Sequence, residues 1–241
     1  MRNESARGCE GNVTLRDRRV LFQRLYPTDP EYRRLASDWS RSAFSTCLSY
    51  LWSASDKLKD ALHPIRAVTD DDSSIERSIT QCLVPMIREA KPSESPFEIE
   101  HGSFEFETLA SPQAQPPQYD MAFVLIANRS IMWPIEAKVL RTDGRLADYI
   151  QEIVGNFRTC RYAPLTGEGG MLGYLLSGVP QRAFDNIALQ LGSPLLPHPL
   201  FKLRNHRVSY HKRTVPPLRD YPRSLCCHHL IIAVGEQLLP Q

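Results

Sequence analysis

Apolar and polar positions alternate along "MWPIEAKVL", residues 132–140, so Ile135, Ala137 and Val139 face one side of a strand. Pro134, Glu136 and Lys138 face the other, which puts an acid and a base side by side about 7 Å apart, two strand rises. The preceding "YDMAFVLIA" is an apolar strand opened by Asp120, and "NRS" between the two reads as a tight turn. An antiparallel hairpin is expected. Before it, "FEIEHGSFEFETL" alternates, with Phe104 and Phe106 on one face and Glu105 and Glu107 on the other.

A helical period appears elsewhere. Phe44, Cys47, Leu48, Leu51, Trp52 and Leu58 predict an amphipathic helix over about 39–62. Asp and Ser caps then precede a stripe of Ile75, Ile79, Leu83, Met86 and Ile87, with Pro85 expected to kink that helix near its end. Leu146, Ile150, Ile153, Val154 and Phe157 mark a third helix, "GMLGYLLSG" a buried strand, and "PQRAFDNIALQLG" a helix stopped by glycine. "HHLIIAV" is a last strand. This order predicts an α/β fold, a mixed central sheet flanked by helices, with an N-terminal helical extension. The expected division is 1–68 for the basic, helical extension and 69–241 for the sheet-containing domain.

The 241 residues are 42% hydrophobic, enough for a large core, and the net charge of +2 names no partner. No apolar run approaches the roughly 18 residues of a membrane span, and the basic N-terminus has no apolar core of a signal peptide. A cytoplasmic protein without membrane contact is expected, with its six cysteines reduced and mostly acting as small apolar fillers.

Candidate chemistry gathers at the hairpin. Asp120 and Glu136 are equidistant from a turn near Asn128, so they should lie across from each other. Two carboxylates held together repel unless a cation bridges them. A hard ion such as Mg²⁺, with Mn²⁺ as substitute, suits these oxygens together with the backbone carbonyl of Ala137. Lys138 could then orient or deprotonate a water, or neutralise charge on a phosphate, which suits phosphodiester hydrolysis. The bland alternative is a surface salt bridge between Glu136 and Lys138. Glu76, at the start of the second helix, has a bland alternative too, since a first-turn acid is favoured by the helix dipole.

The order of elements and the residues Asp120, Glu136 and Lys138 resemble the PD-(D/E)XK, restriction-endonuclease-like nuclease superfamily, over about Ile75 to Gly178. Tyr119 stands where many members have proline. The resemblance implies that Asp120 and Glu136 are metal ligands, Lys138 the catalytic lysine and Glu76 a further acidic contact to the metal. On the helix after the hairpin it makes Gln151 a candidate, since some families place a glutamine or tyrosine there; Tyr149, Arg158 and Arg161 are weaker ones. The implied activity is that of a Mg²⁺-dependent endonuclease, acting on DNA before RNA, in bacterial restriction or antiviral defence. A homodimer or a larger defence complex would follow from cutting both strands of a duplex. The alternative is an inactive module of the same fold that binds nucleic acid or a partner protein.

Lys202 to Arg223 holds seven Lys or Arg and two His against one acid. It is either a solvated loop or a nucleic-acid contact, through Lys202, Arg204, Arg207, Lys212, Arg213 and Arg219. Arg16, Arg18, Arg19 and Arg24 are a weaker second candidate. "CCHH" at 226–229 suggests zinc at first sight, but adjacent strand residues point to opposite faces and cannot readily meet one ion.

Overall fold

Asp71 caps the second helix: its carboxylate accepts from the Ser74 amide at 3.0 Å and satisfies one of the first turn's free N–H groups. The computed structural model describes residues 30–62, 71–105, 116–126, 129 and 131–235, with the backbone alone at 30–42, 59 and 60. Helix α1 spans Pro30–Ala61 and α2 Asp72–Ala90; strands β1 (Phe97–His101), β2 (Met121–Leu125) and β3 (Met132–Leu140) follow. Helix α3 (Ala147–Glu152) runs directly into a π-helical turn, Ile153–Phe157. Then come β4 (Glu168–Leu175), α4 (Pro180–Leu191), β5 (Leu196–Pro197), β6 (His206–Lys212) and β7 (Ser224–Ala233).

Among the described residues the strands form one sheet in the order β1-β2-β3-β4-β7-β6-β5. The first three pair antiparallel, β3–β4 and β4–β7 pair parallel, and β6 and β5 return antiparallel. This is the expected mixed sheet flanked by helices. Both faces are covered, so the central strands read as near-continuous apolar runs. Odd positions such as Phe123, Trp133 and Ile135 pack with Phe44, Leu48, Ile79 and Leu83 of α1 and α2. Even positions such as Ala122, Val124 and Met132 pack with Tyr149, Ile153 and Phe184 from the α3–α4 side.

Several local expectations change. Helix α1 starts at Pro30, well before Trp39, and α2 continues through Pro85 to Ala90. Strand β1 stops at His101 because Gly102 adopts a left-handed φ of 69°, a turn conformation that ends the pleat. Beyond it the alternation survives with Phe104 exposed and Glu105 buried against the Tyr119 hydroxyl. Phe106, Glu107 and the arginines 16, 18, 19 and 24 lie outside the described residues. Part of the basic segment is not loop at all: His206–Lys212 pairs along β7 as strand β6.

The third helix departs furthest from its pattern. Arg158 donates its amide to Ile153 five residues back, and Arg161 does the same to Asn156. That wider winding moves the buried face. Leu146, Tyr149, Ile153 and Phe157 are buried, whereas Val154, expected on the apolar face, is exposed. Phe157 seats the turn on β4, its ring occupying the space over Gly169, where a Cβ would stand 2.2 Å from Cε1. Only glycine permits that approach.

Candidate active site

Strand β3 outruns its antiparallel neighbour. Met121 pairs with Ile135, so β2 ends its ladder where residues 137–140 still have an uncovered edge. Two carboxylates take over from the missing strand. The Ala137 amide donates to Asp120 Oδ2 at 2.7 Å, and the Val139 amide donates to Glu76 Oε2 at 3.2 Å. Asp120 stands one residue before Met121 and so opposite Glu136, in continuation of the hairpin register. A strand residue turns its N–H and C=O to the same edge, so the Ala137 carbonyl faces the side of Asp120.

Glu136 and Lys138 share the parity of Met132 and Leu140, on the α3 side of the sheet. That face is no solvated surface: Glu136 is 6% exposed. The Lys138 ammonium sits at the centre of four acids. Its Nζ lies 2.8 Å from Glu136 Oε1, 3.5 Å from Glu76 Oε1, and 3.9 Å from both Asp120 Oδ2 and Glu152 Oε1. Glu76 comes from α2 on one face of the sheet and Glu152 from α3 on the other. The Glu136 Oε2 atom is buried without a hydrogen-bond partner.

One ammonium cannot offset four carboxylates, so burial and the surplus negative charge act together on Glu76 and Glu136. Burial pushes Glu76 up to about 7, Lys138 opposing and the charge of Asp120 adding to it. Burial, with Asp120 and Glu152 adding to it, holds Glu136 well above the carboxylate range. Burial alone would lower Lys138, but Glu136, Glu76 and Asp120 outweigh it and keep the ammonium charged. The Tyr162 phenol is raised by burial and then by Glu136, Glu152 and Asp120, so its ring belongs to the same surroundings.

Gln151 is exposed and takes no place in this cluster; its amide lies over Gly155, 2.8 Å from where a Cβ would stand. The adjacent Glu152 turns to Lys138 instead, its other oxygen accepting from Asn156 Nδ2. Nothing in the apolar period marked Glu152, because the π turn that follows it is invisible to a 3.6-residue pattern. Tyr149 is fully buried and bonds Met171 O and His229. Arg158 and Arg161 are half-buried beyond the turn.

The basic residues divide. Arg213 is buried, its guanidinium donating to the carbonyls of Phe157, Ala163 and Tyr162. Arg204 makes a forked ion pair with Asp56 and lies over Trp52; Arg207 bonds Gln181 and lies over Phe184. Lys202, Lys212 and Arg219 are exposed.

A second cluster sits on the far side of the sheet from Lys138. His198, His206 and His228 are buried, with ligand atoms within 4.8 Å of one another, so the triad could coordinate a divalent metal ion. The alternation expected of "CCHH" holds, since His228 enters this cluster while His229 bonds Ser209 and Tyr149 on the opposite face. The Trp52 indole N–H donates to His206 Nδ1 at 3.2 Å, which leaves the proton of a neutral ring on Nε2. That nitrogen faces His228 Nδ1 at 3.1 Å, and His228 Nε2 faces Cys226 Sγ at 3.6 Å. His198 Nδ1 accepts from the Leu200 amide, and the His198 and His206 rings stack at 4.6 Å. Burial holds all three neutral, with His228 lowered to about 3. An ion there would compete with the hydrogen bonds of His206 and His228 and would be sealed from any substrate.

Among the described residues this triad alone brings three such ligand atoms so close; the carboxylate oxygens are spaced wider, around the Lys138 ammonium. Mg²⁺ needs only one or two carboxylates, completing its shell with carbonyl oxygen and water. The orphaned Glu136 Oε2 and the repelling acids fit such an ion. No helix of the described residues is long and apolar enough to cross a membrane. No family model, no curated protein and no solved structure matches this chain.

Proposed function

We propose that the protein is a divalent-metal-dependent nuclease of the restriction-endonuclease-like type, hydrolysing phosphodiester bonds in DNA. One observation carries this reading: a charged lysine enclosed by four carboxylates, one of which keeps a buried oxygen without a partner. The frame supports it, since Glu76 sits on a helix before an antiparallel triplet and Asp120 opens the second strand. Glu136, Ala137 and Lys138 then follow on the third, which leads through a helix to a parallel fourth.

Asp120, Glu136, Glu76 and the Ala137 carbonyl would hold the ion, Mg²⁺ or Mn²⁺. When bound, it polarises a phosphoryl oxygen and acidifies the attacking water. Lys138 stays protonated, so its part is electrostatic: it places fixed positive charge where negative charge develops on the phosphate. Glu76 and Asp120 keep the edge of β3 in place through the Val139 and Ala137 amides, holding the lysine in register. Exposed Lys202, Lys212 and Arg219 offer contacts to a phosphate backbone. A restriction or antiviral role, and a dimer that cuts both strands, belong to the resemblance.

The test is incubation of full-length protein with plasmid and single-stranded DNA, in Mg²⁺, in Mn²⁺ and in EDTA. Cleavage in metal, abolished by EDTA and lowered at least about 100-fold by Lys138→Ala, is the expected result. Wild-type cleavage that Lys138→Ala and Asp120→Asn leave intact would remove this site. Salt-sensitive DNA binding without cleavage by any form would instead identify an inactive binding module.

A further inference from the structure

We infer that Glu105 is a positioning residue: through the Tyr119 hydroxyl it fixes the backbone that aims Asp120 into the metal site. The inference rests on the nuclease reading and adds a group that is not among the acids around Lys138. Asp120 stands just ahead of β2, whose ladders with β1 and β3 both begin at Met121, so regular sheet pairing does not hold it. Its tethers come from residues 102–105 instead. The Gly102 amide donates to the Asp120 carbonyl at 3.0 Å, the Tyr119 amide to the Ser103 carbonyl at 2.7 Å, and the Glu105 amide to the Pro117 carbonyl at 2.8 Å.

Side chains complete this frame. Tyr119 and Glu105 are buried, and the Tyr119 hydroxyl donates to Glu105 Oε2. A hydrogen bond to a carboxylate is stronger than one between neutral groups. The same hydroxyl accepts from the Ala163 amide at 3.4 Å, and the Tyr119 ring meets Tyr162 edge-on at 4.8 Å. Ala163 holds a left-handed φ of 48°, uncommon for a residue with a Cβ, and Arg213 pins its carbonyl at 2.9 Å. Tyr119 is therefore held at its amide, its ring and its hydroxyl, one residue before the carboxylate that takes the Ala137 amide. A buried hydroxyl left without its acceptor costs the desolvation of that group. Without Glu105 the Tyr119 ring shifts toward another acceptor or water, and Asp120 moves with it.

Titration calorimetry of the full chain with Mn²⁺ alone tests this without any turnover. Tyr119→Phe removes the hydroxyl and keeps the ring, Glu105→Leu removes the acceptor, and Glu105→Gln keeps an acceptor oxygen. Ser209→Ala loses buried hydrogen bonds three strands away from β3 and controls for general loosening. Tyr119→Phe and Glu105→Leu are each expected to weaken Mn²⁺ binding roughly tenfold or more, the usual range for groups that hold a metal ligand in place. The double variant should be no weaker than either single one, because both break the same bond. Glu105→Gln and Ser209→Ala should stay within about twofold of wild type. Should Glu105→Leu fail to fold, Tyr119→Phe carries the test. Wild-type affinity in Tyr119→Phe, or Glu105→Gln as weak as Glu105→Leu, overturns the role of Glu105; with Asp120→Asn losing the ion, the nuclease reading still stands. Equal weakening by Ser209→Ala overturns that role too. If wild type itself fails to bind, or Asp120→Asn binds normally, the metal site as a whole falls, and the role of Glu105 with it.

Discussion

Glu136 and Lys138 looked, by alternation, like one polar face of a half-buried strand. In the fold the same face is buried, and the two side chains touch at 2.8 Å under three further carboxylates. Their pairing with Asp120 was legible because a hairpin is local: residues equidistant from a tight turn meet whatever the rest of the chain does. The burial was not legible, since it depends on α2 and α3 closing over the strand. A pH dependence follows from that burial. Unfolded Glu76 ionises near its ordinary 4.5, while the folded group holds its proton to about 7. Between these values the native state binds the proton that the unfolded state has released, so raising the pH favours unfolding. In EDTA, thermal melts should therefore show stability present at pH 4 and falling as pH rises from about 4.5 to 7. Glu76→Gln should flatten that fall; an equally steep profile in the variant would show that Glu76 is not its source.

At the level of elements, the π turn and strand β6 decided what the sequence patterns could not. Gln151 and Glu152 are neighbours on one helix, and the docking of its buried face, Tyr149, Ile153 and Phe157, on the sheet determines which of them faces Lys138. The basic stretch read as loop because the buried positions of the strand, His206, Val208, Ser209 and His211, are mostly polar and show no apolar period. It pairs as a strand because β7 offers a partner edge. Arg213 then turns inward and ties three carbonyls of the segment after the π turn. Removing a buried, fully bonded guanidinium leaves those carbonyls unsatisfied, so Arg213→Ala should cost about 2–4 kcal/mol in denaturant melts. Lys212→Ala, exposed one residue earlier, should change stability by less than about 0.5 kcal/mol. It should lower DNA affinity and reduce the slope of log affinity against log salt by about 1. A salt slope moved by Arg213 and not by Lys212 would reverse this assignment.

Across the whole molecule, the sheet separates two polar centres of opposite character. One is acidic and reaches solvent at the open edge of β3. The other is an imidazole cluster sealed between the sheet and α1, where Trp52 orders the protons of His206 and His228. Oxygen donors suit Mg²⁺ and imidazoles suit Zn²⁺, so the two centres would not compete for one ion. His206 and His228 are already hydrogen-bonded, so chelation should leave the melting temperature of Asp120→Asn, which lacks the carboxylate site, unchanged. A drop on metal removal that His228→Asn abolishes would instead assign a structural ion to the triad.

What the sequence determined alone is whatever depends on neighbours along the chain. The caps of α2, the glycine stop of α4, the hairpin and its Asp120–Glu136 register, and the order of helices and strands all belong here. They follow from periods of 2 and 3.6 residues and from turn chemistry, which act over a few positions. The tertiary structure decided which polar groups lose water. It closed helices over both faces of the sheet, brought Glu76 and Glu152 from opposite layers to one lysine, and buried Arg213. It also gathered His198, His206 and His228 from separate elements. Desolvation and charge repulsion depend on distances in space between segments far apart in sequence, and no local pattern records them.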